Sequence, residues 1–263
     1  MSSEAQAKAF VEGRLAAAGF SDYPGDLPGD LATAYTVQQE AIAQWPDRIA
    51  GWKVGKIAPP LADRVGEDRF VGPIFATDIR SVGQDAVFPA FAGGFAAFEA
   101  ELVIVAADDA PADKADWSID EARALTGSMH IAVEVAGSPL ASINDIGAIA
   151  TIAGFGNNNG LILGAEVPDW RALRFDDIPC TTTIDGVVAG HAAASAIPGS
   201  PLAAVAFAFS CTARLGRPVR KGDLISTGAI TGVHAVRIGQ YCEADFGRFG
   251  RIACTVTQAL PRR

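Results

Sequence analysis

The sequence lacks most of the features that announce a specialised role. Cysteine is scarce, and Cys180, Cys211, Cys242 and Cys254 stand far apart with no C-x-x-C pair. That leaves neither a thiolate zinc motif nor a disulfide framework, so the four are expected to be reduced core residues. Only three histidines are present, with no H-x-x-x-H pair and no acid at a telling spacing, and His130, His191 and His234 are read as structural or surface residues. No run of Lys or Arg exceeds Arg262-Arg263, and the net charge is −9. Nothing therefore resembles the basic footprint that a nucleic-acid backbone requires. The longest apolar stretch, Pro201 to Phe209, is far shorter than the roughly 20 residues that span a bilayer. Met1 to Leu15 scatters Glu4, Lys8, Glu12 and Arg14 among alanines, unlike the basic and apolar regions of a signal peptide. A cytoplasmic protein without nucleic-acid or membrane partners is the expectation.

What the chain does have is a large core. Hydrophobic residues make up 49% of its 263 positions and charged residues 19%, a composition of well-packed globular proteins. A chain this long buries about three quarters of its unfolded surface and folds without staples. An acidic protein that takes an acidic metabolite has to neutralise it locally, and a bound cation does so directly.

Apolar residues at Ala7, Phe10, Val11 and Leu15 have helical spacing. A second helix is expected to start at Asp30 as N-cap and to end at Pro46. Beyond Pro46 come short apolar runs separated by Gly and Pro. They read as strands at Ile49 to Gly55, Phe98 to Ala106, His130 to Ala136, Leu161 to Gly164 and Thr181 to Asp185, with Asp185-Gly186 as a hairpin turn. Ser118 with Glu121 forms a capping box, and Pro201 to Leu215 reads as a helix with Gly216 past its end. From Asp223 to Val256 the pattern is again strand and turn. Strands that do not alternate regularly with helices favour an α+β fold over a doubly wound sheet. The expected organisation is a helical segment over 1–48 and a mixed β core domain over 49–263 that carries the site.

The most informative segment is Phe98-Glu99-Ala100-Glu101-Leu102-Val103-Ile104-Val105. Strand side chains alternate, so Glu99 and Glu101 share a face that Val103 and Val105 continue. Two like charges roughly 7 Å apart in a half-buried place call for protonation, a basic partner or a cation. Taken alone, E-x-E reads equally as a strand end facing water. Glu134, within Ile131-Ala132-Val133-Glu134-Val135-Ala136, sharpens the choice, because a lone acid in so apolar a strand has to be answered by a salt bridge or a metal. Three glutamate oxygens would suit Mg²⁺ or Mn²⁺ better than zinc or copper.

Lys53, between Trp52 and Val54, is either a lysine that pairs with an anion or moves a proton, or one that snorkels to the surface; Lys56 falls at the strand end and is expected to be solvated. Gly154-Phe155-Gly156-Asn157-Asn158-Asn159-Gly160 and Ser226-Thr227-Gly228-Ala229 are polar and glycine-rich. Asn157, Thr227 and Gly228 could approach a substrate closely there, although both segments also read as turns.

These segments resemble the 2-keto-4-pentenoate hydratase and 4-oxalocrotonate decarboxylase group of the fumarylacetoacetate hydrolase superfamily. The resemblance runs from about Ala34 to Thr257 and rests on Gly51-Trp52-Lys53-Val54-Gly55, Glu99-Ala100-Glu101, Val133-Glu134-Val135-Ala136-Gly137-Ser138 and Gly222-Asp223-Leu224-Ile225-Ser226-Thr227-Gly228-Ala229. It implies a β-rich α+β core, a homo-oligomer, and Mg²⁺ or Mn²⁺ held by Glu99, Glu101 and Glu134 that chelates a small 2-oxo or 2-enol carboxylic acid. It further implies that Lys53 is an active-site lysine, that Asp78, after a one-residue shift, does acid or base work, and that Thr227 contacts substrate. The chain departs from that pattern at Ile57-Ala58-Pro59, where family hydratases carry Thr or Ser, and at Gly154-Phe155-Gly156-Asn157, where they carry an Asp-Asn-Ala-Ser type loop.

The implied reaction is addition of water to a 2-hydroxy-2,4-dienoate; decarboxylation of a 2-oxo dicarboxylate is the alternative. A C-C bond hydrolase of acylpyruvates would resemble relatives with a His-x-x-Glu pair, but Val133, Ala194 and Arg237 lie three beyond the histidines. A non-catalytic relative that keeps the fold is the remaining class.

Overall fold

The switch from helical to extended spacing at Pro46 is where the architecture changes. A computed structural model describes residues 1–83 and 86–262. Two helices, α1 (Ser3–Leu15) and α2 (Leu31–Gln44), precede β1 (Ile49–Lys56). Asp30 caps α2 by accepting a 2.7 Å hydrogen bond from Thr33 N, a contact whose loss costs about 1 kcal/mol. The helical segment has no separate core. Phe10 and Val37 lie in one apolar cluster with Phe98, Val133 and Phe209 from the β region.

After β1 come α3 (Leu61–Val65), β2 (Arg69–Phe75), β3 (Ile79–Ser81), β4 (Val87–Ala90), β5 (Phe95–Ala106), α4 (Ile119–Leu125) and β6 (Thr126–Ser138). Then follow α5 (Ile143–Ile146), α6 (Ala148–Ala153), β7 (Asn158–Glu166), β8 (Pro179–Ile184), β9 (Val187–Ala193) and α7 (Pro201–Arg214). The chain finishes with β10 (Leu224–Ser226), β11 (His234–Ala235), β12 (Tyr241–Asp245) and β13 (Arg251–Gln258). The Ser118 capping box closes on Glu121 as expected, and Asp185-Gly186, both at positive φ, turn β8 into β9. The pattern reading missed β2, whose Gly72-Pro73 looks like a break, and the short helices over 143–153.

Among the described residues the strands form two sheets. The larger runs β2-β1-β10-β5-β6-β7-β3 with β11 added to β5, and the smaller runs β4-β13-β12-β8-β9. One 3-10 turn separates β2 from β3, yet they sit at opposite ends of the larger order, so that sheet curls until its ends approach. Ile74, Val103, Ala132, Leu161 and Leu224, from five of its strands, meet as a buried cluster inside the roll. Its outer face, with Phe98, Leu102 and Val133, packs into the main core; truncating so deeply buried a Phe to Ala typically costs ~3–5 kcal/mol. No helix among the described residues is long and apolar enough to cross a membrane.

Candidate metal centre and active site

The register of the curled sheet assembles the site. Glu99 on β5 pairs directly with Glu134 on β6, and Glu101 lies two residues along the same face. On β1, Lys53 is the register partner of Ser226 on β10, whose other partner is Val103. All four charged side chains therefore point into the roll from neighbouring strands, at one end of the Ile74, Val103 and Ala132 layer. Glu99, Glu101 and Glu134 each place a carboxylate oxygen within 4.8 Å of the others, and all three are buried. The Lys53 ammonium is 3.2 Å from Glu134 Oε2. Lysine snorkelling is excluded here, since Lys53 is 5% exposed.

Each glutamate is held by other chain groups. Ser226 Oγ donates to Glu101 Oε2 at 2.5 Å, and Gly228 N donates to the same oxygen at 2.9 Å. Asn158 Nδ2 donates to Glu134 Oε1 at 2.9 Å. Glu101 Oε1 and Glu134 Oε2 are buried without an aligned hydrogen bond; the Lys53 contact to the latter is an ion pair by distance only. Orphaned buried oxygens of this kind are costly.

Charge compounds the cost. Burial pushes the Glu99 carboxyl up to about 7, with Lys53 opposing and Glu134 adding to the rise. Burial lifts Glu101 well above the carboxylate range, and repulsion from Glu134 and Glu99 lifts it further. For Lys53 burial pulls the other way, but the three carboxylates override it and hold the ammonium protonated. Fully ionised, three carboxylates against one ammonium would leave two negative charges in a pocket of low dielectric. A divalent cation balances that charge and supplies the partner that two orphan oxygens lack. Oxygen ligands alone match the preference of Mg²⁺ or Mn²⁺, so the residues present fit the implied metal.

The cluster opens onto two adjoining cavities. The larger, about 620 Å³, is lined by Lys53, Glu99, Asn157, Thr151 and an apolar wall that includes Ala58, Pro59, Leu61 and Phe70. The smaller, about 250 Å³, runs from Glu99 past Thr227 and Gly228 to Ile197 and Pro198. Lys56 and Val233 line both. Of the departure at Ile57-Ala58-Pro59, Ala58 and Pro59 thus lie on the cavity wall, whereas Ile57 is buried in the core. Thr227 directs its hydroxyl to Leu102 O at 2.9 Å, which ties the loop to β5, and Gly228 orients Glu101.

Asn157 reaches the larger cavity through an unusual backbone. Phe155, Gly156 and Asn157 all have positive φ, of 63°, 65° and 60°. Consecutive left-handed residues are strained, and such strain collects at functional sites. A Cβ on Gly156 would lie 2.6 Å from Gly72 Cα, and a Cβ on Gly72 would lie 2.6 Å from Gly156 Cα, so the loop and β2 touch backbone to backbone. Asn157 Nδ2 donates to Asn144 Oδ1 at 3.3 Å while its Oδ1 has no partner.

Asp78 is not brought to this cluster. The 3-10 turn after β2 carries it to a separate cavity, where it pairs with Arg262. None of the three histidines lines either cavity at the metal centre. The supporting roles of Ser226 and Asn158 were not read from sequence. Ser226 could have been found, because Leu224 and Ser226 alternate on a strand beside the E-x-E strand; Asn158 could not be told from its neighbours.

Residues 63–257 match the fumarylacetoacetate (FAA) hydrolase C-terminal family. The chain is 28% identical over 234 residues to a 2-keto-4-pentenoate hydratase of Burkholderia vietnamiensis, covering 88% of this chain and 87% of that one. It is 27% identical over 242 residues to the TodF product hydratase of Pseudomonas putida, at 88% and 85% coverage. Among solved structures, 4-oxalocrotonate decarboxylase from Pseudomonas putida G7, complexed with magnesium and adipate, superposes with a TM-score of 0.80 at 19% identity over 97% of both chains. Fumarylpyruvate hydrolase from Pseudomonas aeruginosa, in complex with Mn²⁺ and pyruvate, gives 0.54 at 16% identity over 81% of this chain and 91% of that one. The matched family spans most of the curled sheet and all three glutamates, and the chain belongs to the fumarylacetoacetate hydrolase family.

Proposed function

We propose that the protein is a metal-dependent hydro-lyase that adds water to a 2-hydroxy-2,4-dienoate of the 2-keto-4-pentenoate type, giving a 4-hydroxy-2-oxo acid. The observation that carries the reading is the convergence of Glu99, Glu101, Glu134 and Lys53 at the head of a cavity. The similarity to hydratases over most of the chain supports the choice of reaction. A Mg²⁺ or Mn²⁺ bound by the three glutamates would chelate the substrate's carboxylate and 2-oxygen and stabilise negative charge as it develops there.

The remaining chemistry falls to the chain. Carboxylates keep Lys53 protonated, so its Nζ is a fixed positive charge beside the 2-oxygen; a cation held by the same carboxylates would weaken their grip on that proton and let Nζ donate it toward the unsaturated acid. Asn157 Oδ1 is an open acceptor on the same wall and would orient the hydroxyl or the incoming water. Gly228, Ser226 and Asn158 hold the carboxylates in place. Ala58, Pro59, Leu61 and Phe70 would exclude bulk water and accept a short apolar tail. Asp78 has no part in this scheme.

One observation favours a second reading. Lys56 stands exposed where the two cavities meet and could pair with the far carboxylate of a 2-oxo dicarboxylate, which would then lose carbon dioxide. Incubation of the Mg²⁺-loaded protein with a 2-hydroxy-2,4-dienoate and, separately, with a 2-oxo dicarboxylate separates the two. Loss of dienoate absorbance with a 4-hydroxy-2-oxo product is expected; carbon dioxide release alone would select the decarboxylase, and inertness toward both would overturn the enzymatic reading.

The same reading includes assembly as a symmetric homo-oligomer, the default for such enzymes. The free edge strand β9 exposes Val187 and Val188, at 70% and 60%. Light scattering at micromolar concentration should give a multiple of the 27.2 kDa chain mass.

A further inference from the structure

The asparagine run 157–159 faces three ways. Asn157 lines the substrate cavity and Asn158 holds Glu134. Asn159, pointing oppositely to Asn158 along β7, lines a third cavity of about 470 Å³. Arg14, Arg80 and Arg262 line that cavity too, with Asp78 as the one carboxylate among its described lining residues. An excess of two cations among the described lining residues stands out in a chain of net charge −9.

Asp78 answers only one of the three guanidiniums, that of Arg262. Arg80 donates to a carbonyl, Asp78 O, at 3.1 Å. Arg14, 5% exposed, has neutral acceptors only: Gly137 O at 2.9 Å, Gly154 O at 3.2 Å and Asn159 Oδ1 at 3.4 Å. Its guanidinium is packed between the rings of Phe91 and Phe155, and its Nε has no partner. Burial lowers the Arg14 pKa to about 9, with Asp78 opposing and Arg262 adding to the fall. Trp45, under the Arg262 guanidinium on the same wall, leaves its indole Nε1 buried without an acceptor. Among the described lining residues the unmet groups, Arg14 Nε and Trp45 Nε1, are both donors, and guanidiniums outnumber carboxylates three to one. Buried cations are expensive unless an anion answers them.

We infer that this cavity binds a small dianion, a dicarboxylate or a phosphate, at a site separate from the metal centre. Two acidic groups match the two uncompensated charges, and guanidinium forks bind carboxylate and phosphate oxygens equally well. Trp45, Phe91 and Leu260 complete a wall suited to a short carbon chain.

The test uses the full-length protein stripped of metal and then dialysed free of chelator, so that no cation at the glutamate cluster offers anions a second site. Succinate, inorganic phosphate and acetate are titrated at constant ionic strength by calorimetry, with melting temperature as a second readout. Succinate or phosphate should bind once per chain and raise the melting temperature by several degrees, whereas acetate should do neither; which dianion binds more tightly assigns the source. Arg80→Met is the diagnostic variant, because Arg80 is half-buried and its hydrogen bond among the described residues is to a single carbonyl, so its loss spares the core. It should weaken dianion binding at least tenfold with an unchanged melting temperature in the absence of ligand. If neither dianion binds better than acetate, or if Arg80→Met binds as well as the wild type, the arginines serve only to brace the chain.

Discussion

Two clusters of like charge lie back to back across the 158–159 peptide, one acidic and one basic, and they are stabilised by opposite means. In the acidic cluster the charges sit on adjacent strands in register, and relief comes from one lysine and from the raised proton affinity of Glu99 and Glu101. In the basic cluster the arginines come from α1, β3 and the C-terminal segment, and relief comes mostly from backbone carbonyls. A carboxylate can shed its charge by taking up a proton, whereas a guanidinium cannot readily give one up. The acidic site therefore responds to pH and metal, and the basic site responds to anions.

The largest expected effect tests the acidic side through its lysine. Lys53→Met should reduce kcat/KM by roughly 10²- to 10⁴-fold, the range of a proton-transfer group. The metal-free variant should also melt several degrees lower, because Glu134 loses its ion-pair partner. Full activity with a depressed melting temperature would make Lys53 purely structural.

Glu101→Gln separates charge from packing. Because burial and the neighbouring carboxylates favour the neutral form of Glu101 in the metal-free protein, an amide of the same shape should leave the metal-free melting temperature within a degree or two. Mg²⁺ affinity measured by calorimetry should fall at least tenfold, since an amide is a poorer ligand for a hard cation. Equal affinities would show that the site is misassigned.

The neighbouring asparagines offer the sharpest contrast. Asn158→Ala releases Glu134 Oε1 and should cost metal affinity about tenfold, as loss of a group that orients a ligand typically does. Asn159→Ala should leave metal affinity unchanged and lower the melting temperature, because Asn159 ties Pro89 O and Arg14 together. Identical behaviour of the two variants would contradict the opposed faces.

The smallest effect contrasts a buried acid with an exposed one. Hydrogen bonds from Lys114 and Ser118 depress the Glu121 carboxyl to about 2. A depressed folded-state pKa means that the capping box contributes fully above the unfolded value of about 4.3 and is lost as pH falls through about 2. The melting temperature of Glu121→Gln should therefore lie slightly below the wild type near neutrality, and the gap should close on acidification over that window. A gap independent of pH would remove the carboxylate from the account.

The same contrast explains what could be read from the sequence. Glu99 and Glu101 were legible because a strand's two-residue period puts them on one face whatever the tertiary structure, and Glu134 because an acid among Val and Ala has to be answered. Helices α2, α4 and α7 were legible through Asp30, Ser118 and Pro201. Asp78 was misplaced because its position depends on a 3-10 turn at the seam of the sheet, which no spacing rule predicts. The basic cavity was invisible: Arg14, Arg80 and Arg262 are scattered from one end of the chain to the other, and only the curling of the sheet and the return of the last residues toward α1 bring them together.

The contact between Gly72 and Gly156 also limits how this chain can vary. Most packing constraints are negotiable, since a larger residue on one side is offset by a smaller one opposite. Here neither side has an atom left to give up: alanine at either position meets the other's Cα at 2.6 Å, and alanine at both worsens the collision. Compensating pairs are thus closed to this junction, and the route to another active-site loop runs through replacement of the whole 154–157 segment. Variation in substrate choice is then directed to walls with slack, such as Ala58 and Leu61, where a side chain can change size without moving the backbone.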